Sequence, residues 1–248
     1  LLLTADRPPE LIDCGANQTI VQPGLFRHYT RWEHTLPCPS QDVSPRVAAS
    51  AAAQACYLAT RPPAGPVHLD CPFREPLSPA QTRYAEPVEP APAPTWHAME
   101  PQLAQAAQHQ LLNRLARAER GLLLVGRLDS HAATESARAL AQTLGWPVFA
   151  DVTSGLRLSA GDAPVVAHSD ALLATQSFRD ACAPDLILHV GGRFVSKRLL
   201  EFLEGYRGSY LHVTPHPFRE DPAQRVTEHY ESDIAAFCTW LALAMKGA

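Results

Sequence analysis

The sequence predicts an α/β fold built from parallel-sheet domains with flanking helices. Three observations point to it. Short apolar runs, among them GLLLV at 121–125 and DLILHV at 185–190, have the length and composition of buried strands. Helical segments separate them, and strands alternating with helices pair in parallel through right-handed crossovers. A proline-rich stretch at 86–95, EPVEPAPAPT, divides the alternation into two parts.

The elements follow in order. LLL at 1–3 reads as the end of a fully buried strand, which Pro8 and Pro9 stop because proline lacks the ladder donor. Ser44-Pro45 opens an alanine-rich helix running to Thr60, and the turn at 61–65, RPPAG, breaks it. A strand follows at 66–71, closed by Pro72. In the second part, Leu103, Ala107, Leu111, Leu112 and Leu115 mark one helix face. After the GLLLV strand, Asp129-Ser130 caps a helix that runs through Leu144. Then come a strand at 146–150, a helix at 171–181, the DLILHV strand, a helix at 195–203, a strand at 210–213 and an amphipathic helix at 232–245. The expected organisation is a partial domain at 1–85, a linker at 86–98 and a second domain at 99–248.

Composition narrows the function classes. With 248 residues, 46% hydrophobic and 19% charged, the chain can build a substantial core. A net charge of −4 provides no footprint for nucleic acid, and no run of 18 apolar residues predicts a membrane span. The six cysteines form no C-x-x-C pair, and most read as small buried residues of a reduced, cytoplasmic protein. His212 and His216 are four apart, but Pro215 between them spoils a helical ligand pair, so both are expected to be structural or exposed. No metal-ligand set is expected. The chain begins inside an apolar strand without an initiator Met, which suggests a piece of a longer protein.

The loops carry the chemistry. Gly126-Arg127-Leu128 and Gly191-Gly192-Arg193 follow two of the strands, and neither has the G-x-G-x-x-G pattern. The second domain is thus Rossmann-like without a dinucleotide motif. Arg7 lies where the first strand ends, the place where open α/β sheets bind ligands. Its fork of donors suits a carboxylate or phosphate. Asn17 and Gln18, after the turn at Gly15, offer amide donors and acceptors. The plainer reading pairs Arg7 with Asp6 or Glu10 on a solvated loop. Ser196 is placed to cap a helix whose first turn then holds Lys197 and Arg198, two cations that oppose the helix dipole. A bound anion or a merely solvated turn accounts for them equally. No catalytic nucleophile with a placed base is visible.

The segments TADRPPEL with GANQ, then QPGLFRHYTRW, GPVHLDCPFREPL, GLLLVGRL, QTLGWPVFADV and SKRLLEF, resemble the 2-succinyl-5-enolpyruvyl-6-hydroxy-3-cyclohexene-1-carboxylate synthase (MenD) family. These are thiamine-diphosphate enzymes of menaquinone biosynthesis. The resemblance implies a fold of thiamine-diphosphate-enzyme type, with the end of the pyrimidine-binding domain at 1–85 and the central domain at 99–248. It implies a transferase, a carboligase that decarboxylates 2-oxoglutarate and adds the succinyl semialdehyde carbanion to isochorismate. Thiamine diphosphate is the electron sink there, with Mg2+ or Mn2+ at its diphosphate. Arg7, Asn17, Gln18, Lys197 and Arg198 match family residues that bind the anionic substrates, whereas Arg27 and Arg193 fit binding, solvated or structural roles equally. Two family features are absent: the glutamate that activates the aminopyrimidine, and the Gly-Asp motif that holds metal and diphosphate. The resemblance therefore implies an inactive piece of a cytoplasmic homodimer or homotetramer, with no cofactor-binding or metal residue assigned. The alternatives are an acetolactate-synthase-like carboligase and a regulatory α/β module that binds an anionic metabolite.

Overall fold

The computed structural model describes residues 1–77, 93–157 and 161–246. The chain divides into two compact units, Leu1–Met99 and Glu100–Ala248. Residues 86–92 of the expected linker lie outside the described residues, and 93–98 carry no helix or strand.

In the first unit a three-stranded parallel sheet has the order β1-β3-β2, from β1 (Leu2–Asp6), β2 (Trp32–Thr35) and β3 (Val67–Pro72). Helix α1 (Arg46–Thr60) packs on one face through Ala51 and Ala55, whose small side chains admit Val67 and Leu69 closely. The opposite face of β3 presents His68 and Asp70, both fully buried and both bonded to Thr4 Oγ1, at 2.8 and 3.1 Å. Burial raises the Asp70 carboxyl above its ordinary value, and the Thr4 hydroxyl opposes that shift.

The expected fully buried first strand is corrected here, since Leu3 is 65% exposed. β1 is an edge strand paired with β3 alone, while α1 packs on β2 and β3. The cysteines are corrected too. Cys38 and Cys238 are buried, Cys71 and Cys182 half-buried, and Cys14 and Cys56 exposed.

The second unit is a five-stranded parallel sheet of order β5-β4-β6-β7-β8. Its strands are β4 (Gly121–Val125), β5 (Val148–Ala150), β6 (Leu186–Val190), β7 (Ser209–Thr214) and β8 (Glu228–Glu231). Successive residues of β4 serve opposite faces, as strand geometry requires. Leu123 and Val125 pack with α3 (His131–Leu144) and α7 (Ile234–Lys246), with α2 (Gln105–Leu115) alongside. Leu122 and Leu124 pack on the other side with α6 (Lys197–Gly205). Ser130 Oγ caps α3 by accepting from Ala133 N–H at 3.1 Å, and Gly145 ends it at φ 63°.

A single helix over 171–181 is corrected to two, α4 (Ser169–Leu172) and α5 (Gln176–Ala181). Thr175 is extended between them, and Arg179 Nη1 donates at 3.0 Å to the Leu173 carbonyl that the break frees. His212 lies inside β7, fully buried, and His216 follows the strand. No described helix is long and apolar enough to cross a membrane.

Chain order places β5 to one side of β4 and β6 to the other. That reversal is a topological switch point, and the crevice beyond the strand ends at such a point is where α/β sheets bind ligands. The loops 126–128 and 191–193 meet there, since Gly192 N–H donates to the Arg127 carbonyl at 2.9 Å.

Candidate functional site

In the first unit, Asp6 pairs in register with Pro72, so Arg7 is the first residue beyond the sheet's carboxyl edge. Its amide donates to Asp6 Oδ1 at 2.7 Å. Its guanidinium meets neither Asp6 nor Glu10. Nη1 donates to Glu75 Oε1 at 2.9 Å and Nη2 to Gln18 Oε1 at 3.3 Å. Glu10 is held instead by Arg74, bidentately at 2.5 and 3.0 Å, which keeps its carboxyl below the ordinary value.

Arg7, Gln18, Gln22, Ala5 and Phe73 line a cavity of about 230 Å³. Gln22 Nε2 braces it by donating to the Ala5 carbonyl at 2.7 Å. Gln18 sits at φ 57°, a left-handed conformation that costs a non-glycine residue roughly 1–2 kcal/mol. Such strain persists where the surroundings impose it, commonly at binding sites. Asn17 is exposed and does not line this cavity. The Glu75 side chain is 72% exposed, so its pair with Arg7 contributes no more than about 1 kcal/mol. An incoming carboxylate can compete for that fork.

In the second unit, Ser196 Oγ accepts from Leu199 N–H at 3.1 Å, which places Lys197 and Arg198 in the first turn of α6. The fold itself supplies an anion there. Asp170, at the start of α4, accepts from Ser196 Oγ through one oxygen and from Arg198 Nη1 through the other at 2.9 Å. The Ser196 bond foremost, and then Arg198, hold the Asp170 carboxyl below its ordinary value. Lys197 is 89% exposed and approaches Glu201 at 3.7 Å. A lysine four residues before a glutamate is the weaker orientation of a helical ion pair. Its ammonium is therefore held lightly.

The structure brings Arg7 together with Gln18, whereas Lys197 and Arg198, consecutive in the first turn of α6, engage separate partners, Glu201 and Asp170. Sequence reasoning missed the acids that organise both places. Asp151, 5% exposed, ends β5 and accepts from Thr153 N–H at 2.9 Å, and its other oxygen takes Val195 N–H at 2.8 Å. It thereby ties the segment ahead of α6 to β5. The local half of its role was readable, because Asp-Val-Thr at a strand exit is an Asx turn. The partner 44 residues away was not. Arg193, among the undecided arginines, is exposed.

Among the described residues, no group of three His, Cys, Asp or Glu side chains is arranged to hold a metal ion. Neither glycine loop has a diphosphate-binding pattern. The described residues thus do not fit a metal-diphosphate group.

Comparison with known proteins agrees with this architecture. Residues 91–245 match a family model described as the middle domain of thiamine pyrophosphate. The chain is 43% identical to the 2-succinyl-5-enolpyruvyl-6-hydroxy-3-cyclohexene-1-carboxylate synthase of Rubrobacter xylanophilus, covering 100% of this chain and 44% of that protein. Against the synthase of Salinibacter ruber it is 42% identical, covering 95% and 42%. The chloroplastic protein PHYLLO of Arabidopsis thaliana is 35% identical over 96% of the chain and 15% of its own length. The chain thus spans less than half the length of these relatives.

Among solved structures, a thiamin diphosphate-dependent enzyme from Mycobacterium smegmatis superposes with a TM-score of 0.61 at 18% identity, covering 98% of this chain and 45% of that one. The 4-hydroxybenzoylformate decarboxylase of Rhodococcus jostii gives 0.59 at 19%, with the same coverage. At such identity these two establish the shared fold. The domain match and the whole-chain similarity together show that the chain belongs to the thiamine pyrophosphate middle-domain family, whose matched domain makes up most of it.

Proposed function

We propose that this chain is part of a thiamine-diphosphate-dependent carboligase, a transferase of menaquinone biosynthesis. The reaction removes carbon dioxide from 2-oxoglutarate and joins the remaining four-carbon unit to isochorismate. The product is 2-succinyl-5-enolpyruvyl-6-hydroxy-3-cyclohexene-1-carboxylate. The observation that carries this reading is the 43% identity, over the whole chain, to a synthase of that name. In this reading thiamine diphosphate and Mg2+ are held by parts of a longer, cytoplasmic homo-oligomer other than the residues described here. The domain organisation proposed is the end of a pyrimidine-binding domain at 1–85, a linker at 86–98 and the central domain at 99–248.

This chain's contribution is anion binding. Arg7 offers a fork that meets a carboxylate through two parallel bonds, and Gln18 orients that fork through its amide oxygen at 3.3 Å. Asn17 adds an exposed amide beside them. Lys197 and Arg198 present two cations from the first turn of α6. The 230 Å³ cavity beside Arg7 and the lightly held Lys197 ammonium support these roles.

The test is kinetic, in the longer enzyme. Arg7→Ala is expected to lower kcat/KM for an anionic substrate by roughly 30- to 1,000-fold, a loss of about 2–4 kcal/mol in transition-state stabilisation. Lys197→Ala is expected to cost roughly 10- to 100-fold with stability within about 0.5 kcal/mol of the parent. Lysine at position 7 should rescue poorly, because an ammonium cannot reproduce the bidentate fork. Near-normal kcat/KM for both substrates in both alanine variants would return these cations to ordinary surface roles.

A further inference from the structure

At the switch point of the second unit, β6 and β7 bring His189 and His212 into direct register, and their rings stack at 3.9 Å between centroids with 7° between planes. Both are buried, at 1% exposure. His189 Nε2 bonds the Gly192 carbonyl at 3.0 Å and His212 Nε2 bonds the Gly191 carbonyl at 2.9 Å. A carbonyl only accepts, so Nε2 carries the proton in both rings. His189 Nδ1 then accepts from the Tyr210 hydroxyl at 3.0 Å. Beyond the turn, Phe194 folds back onto His189 at 4.3 Å.

The turn has little freedom otherwise. Gly191 is at φ 89°, where a side chain would also meet the Arg127 carbonyl at 2.7 Å. We propose that the stacked, neutral imidazoles of His189 and His212 are positioning residues, which grip the Gly191-Gly192 turn by its two carbonyls and so set the basic segment 193–198, and that protonation in acid releases the turn.

The surroundings favour the neutral rings. His212 Nδ1 is buried without a partner among the described residues, so a proton there would be an unpaired buried donor. β8 presents His229, edge-on to His212 at 5.3 Å, with its Nε2 on Thr214 Oγ1 at 2.9 Å. The loop after β7 contributes His216, Glu220 and Asp221, and the loop after β4 contributes Arg127. The Gly191 carbonyl and Asp221 favour the charged His212 ring, as the Gly192 carbonyl does for His189, whereas His229 and His216 oppose charge on His212. Desolvation outweighs them all and lowers His212 to about 4, and it holds His189 well below its ordinary value. A ring whose closed-state value is lowered supports the closed turn fully above about pH 6.5, and that support falls as pH drops toward about 4.

The effect on substrate rests on the reading of Lys197 and Arg198 given above, whereas the clamp does not. The clamp is tested on this chain by amide hydrogen exchange, with no cofactor or substrate present. The reporters are Gly191 N–H on Val213 O, Gly192 N–H on Arg127 O, and Val195 N–H on Asp151. The core control is Leu123 N–H on Pro147 O.

Once corrected for intrinsic exchange, protection of the three reporters should fall by roughly 80-fold between pH 6.5 and 4 for His212 alone, because the ring is half-titrated at each end of that window. Leu123 should hold. His212→Phe should lose reporter protection at pH 7.5, and His212→Gln, which keeps an amide donor but does not titrate, should restore it and reduce the pH slope to the part that His189 contributes. Flat reporter protection in the unaltered chain, a parallel loss at Leu123, or a glutamine variant as open as the phenylalanine one would each overturn the clamp. In the longer enzyme, His212→Phe should raise KM for an anionic substrate several-fold, and the glutamine variant should not. An enzyme without carboligase activity before mutation would sink the functional reading and leave the exchange result standing.

Discussion

Replacing Asp151 by alanine tests how the segment ahead of α6 is held. The carboxylate ends β5 and is nearly buried, yet it serves donors from two elements. Val195 N–H reaches Oδ2 at 2.8 Å, and Thr153 N–H and Oγ1 reach Oδ1 at 2.9 and 2.6 Å. A hydrogen bond to a charged group contributes about 1.5–3 kcal/mol. The Thr153 bonds amount to an N-cap worth about 1 kcal/mol, because Thr153 is exposed and water can replace much of them. Asp151→Ala should therefore cost about 3 kcal/mol. At roughly 2–4 °C per kcal/mol for a protein of this size, Tm should fall by about 6–12 °C.

Asp151→Asn keeps the Oδ1 acceptor but turns an amide NH2 toward Val195 N–H, so it should lose about 2 kcal/mol. Asp129 is the control. Its carboxylate is 73% exposed in a pair with Arg127, and Asp129→Ala should move Tm by less than about 2 °C. Thermal unfolding followed by circular dichroism reads all three. If Asp151→Ala behaves like Asp129→Ala, the carboxylate does not hold the segment and the reasoning fails.

Gly126→Ala should destabilise by about 1–3 kcal/mol, because its new methyl would lie 1.7 Å from the Gly192 carbonyl oxygen and must displace that turn; unchanged urea unfolding would contradict it. Titration with a thiol reagent should modify the exposed Cys14 and Cys56 first, and reach Cys38 and Cys238 only on denaturation. Burial raises the Cys238 thiol well above its ordinary value, so early labelling there would refute the packing of α7. Calorimetry of this chain with thiamine diphosphate and Mg2+ should show no saturable binding, since the described residues bring together no metal-holding group. A micromolar isotherm would contradict that.

The strands read most plainly from sequence are buried on both faces. GLLLV and the 186–190 segment are continuous apolar runs because helices cover both sides of the sheet. β2 (WEHT) and β8 (EHYE) escaped because these edge strands carry little apolar pattern, with no buried residue in β2 and Tyr230 alone in β8. LLL misled for the opposite reason. Leucines state a preference for burial, but whether β1 meets a covering layer depends on what packs on it, and within the first unit α1 covers its neighbours. The break at Thr175 likewise rests on a contact, Arg179 to the Leu173 carbonyl, that helical periodicity does not encode.

At the basic turn, the local signal and the tertiary one have different consequences. Ser196 announced its cap, and the two cations after it called for an anion. Asp170, 28 residues before Arg198, is one, and its distance in sequence is why it went unread. Its presence separates the two cations. Arg198 is half-exposed with Nη1 committed to Asp170, whereas Lys197 is almost wholly in solvent beside a weak helical partner. An arriving carboxylate must displace a formed charge-assisted bond at Arg198, but only solvent and a loose Glu201 at Lys197. In the proposed enzyme this gives the pair an order of action. Lys197 draws the substrate in as an accessible point charge, and Arg198, already oriented by Asp170, supplies remaining donors along a fixed direction. Rate of association should then follow Lys197 and ionic strength, while release should follow Arg198 and its acid.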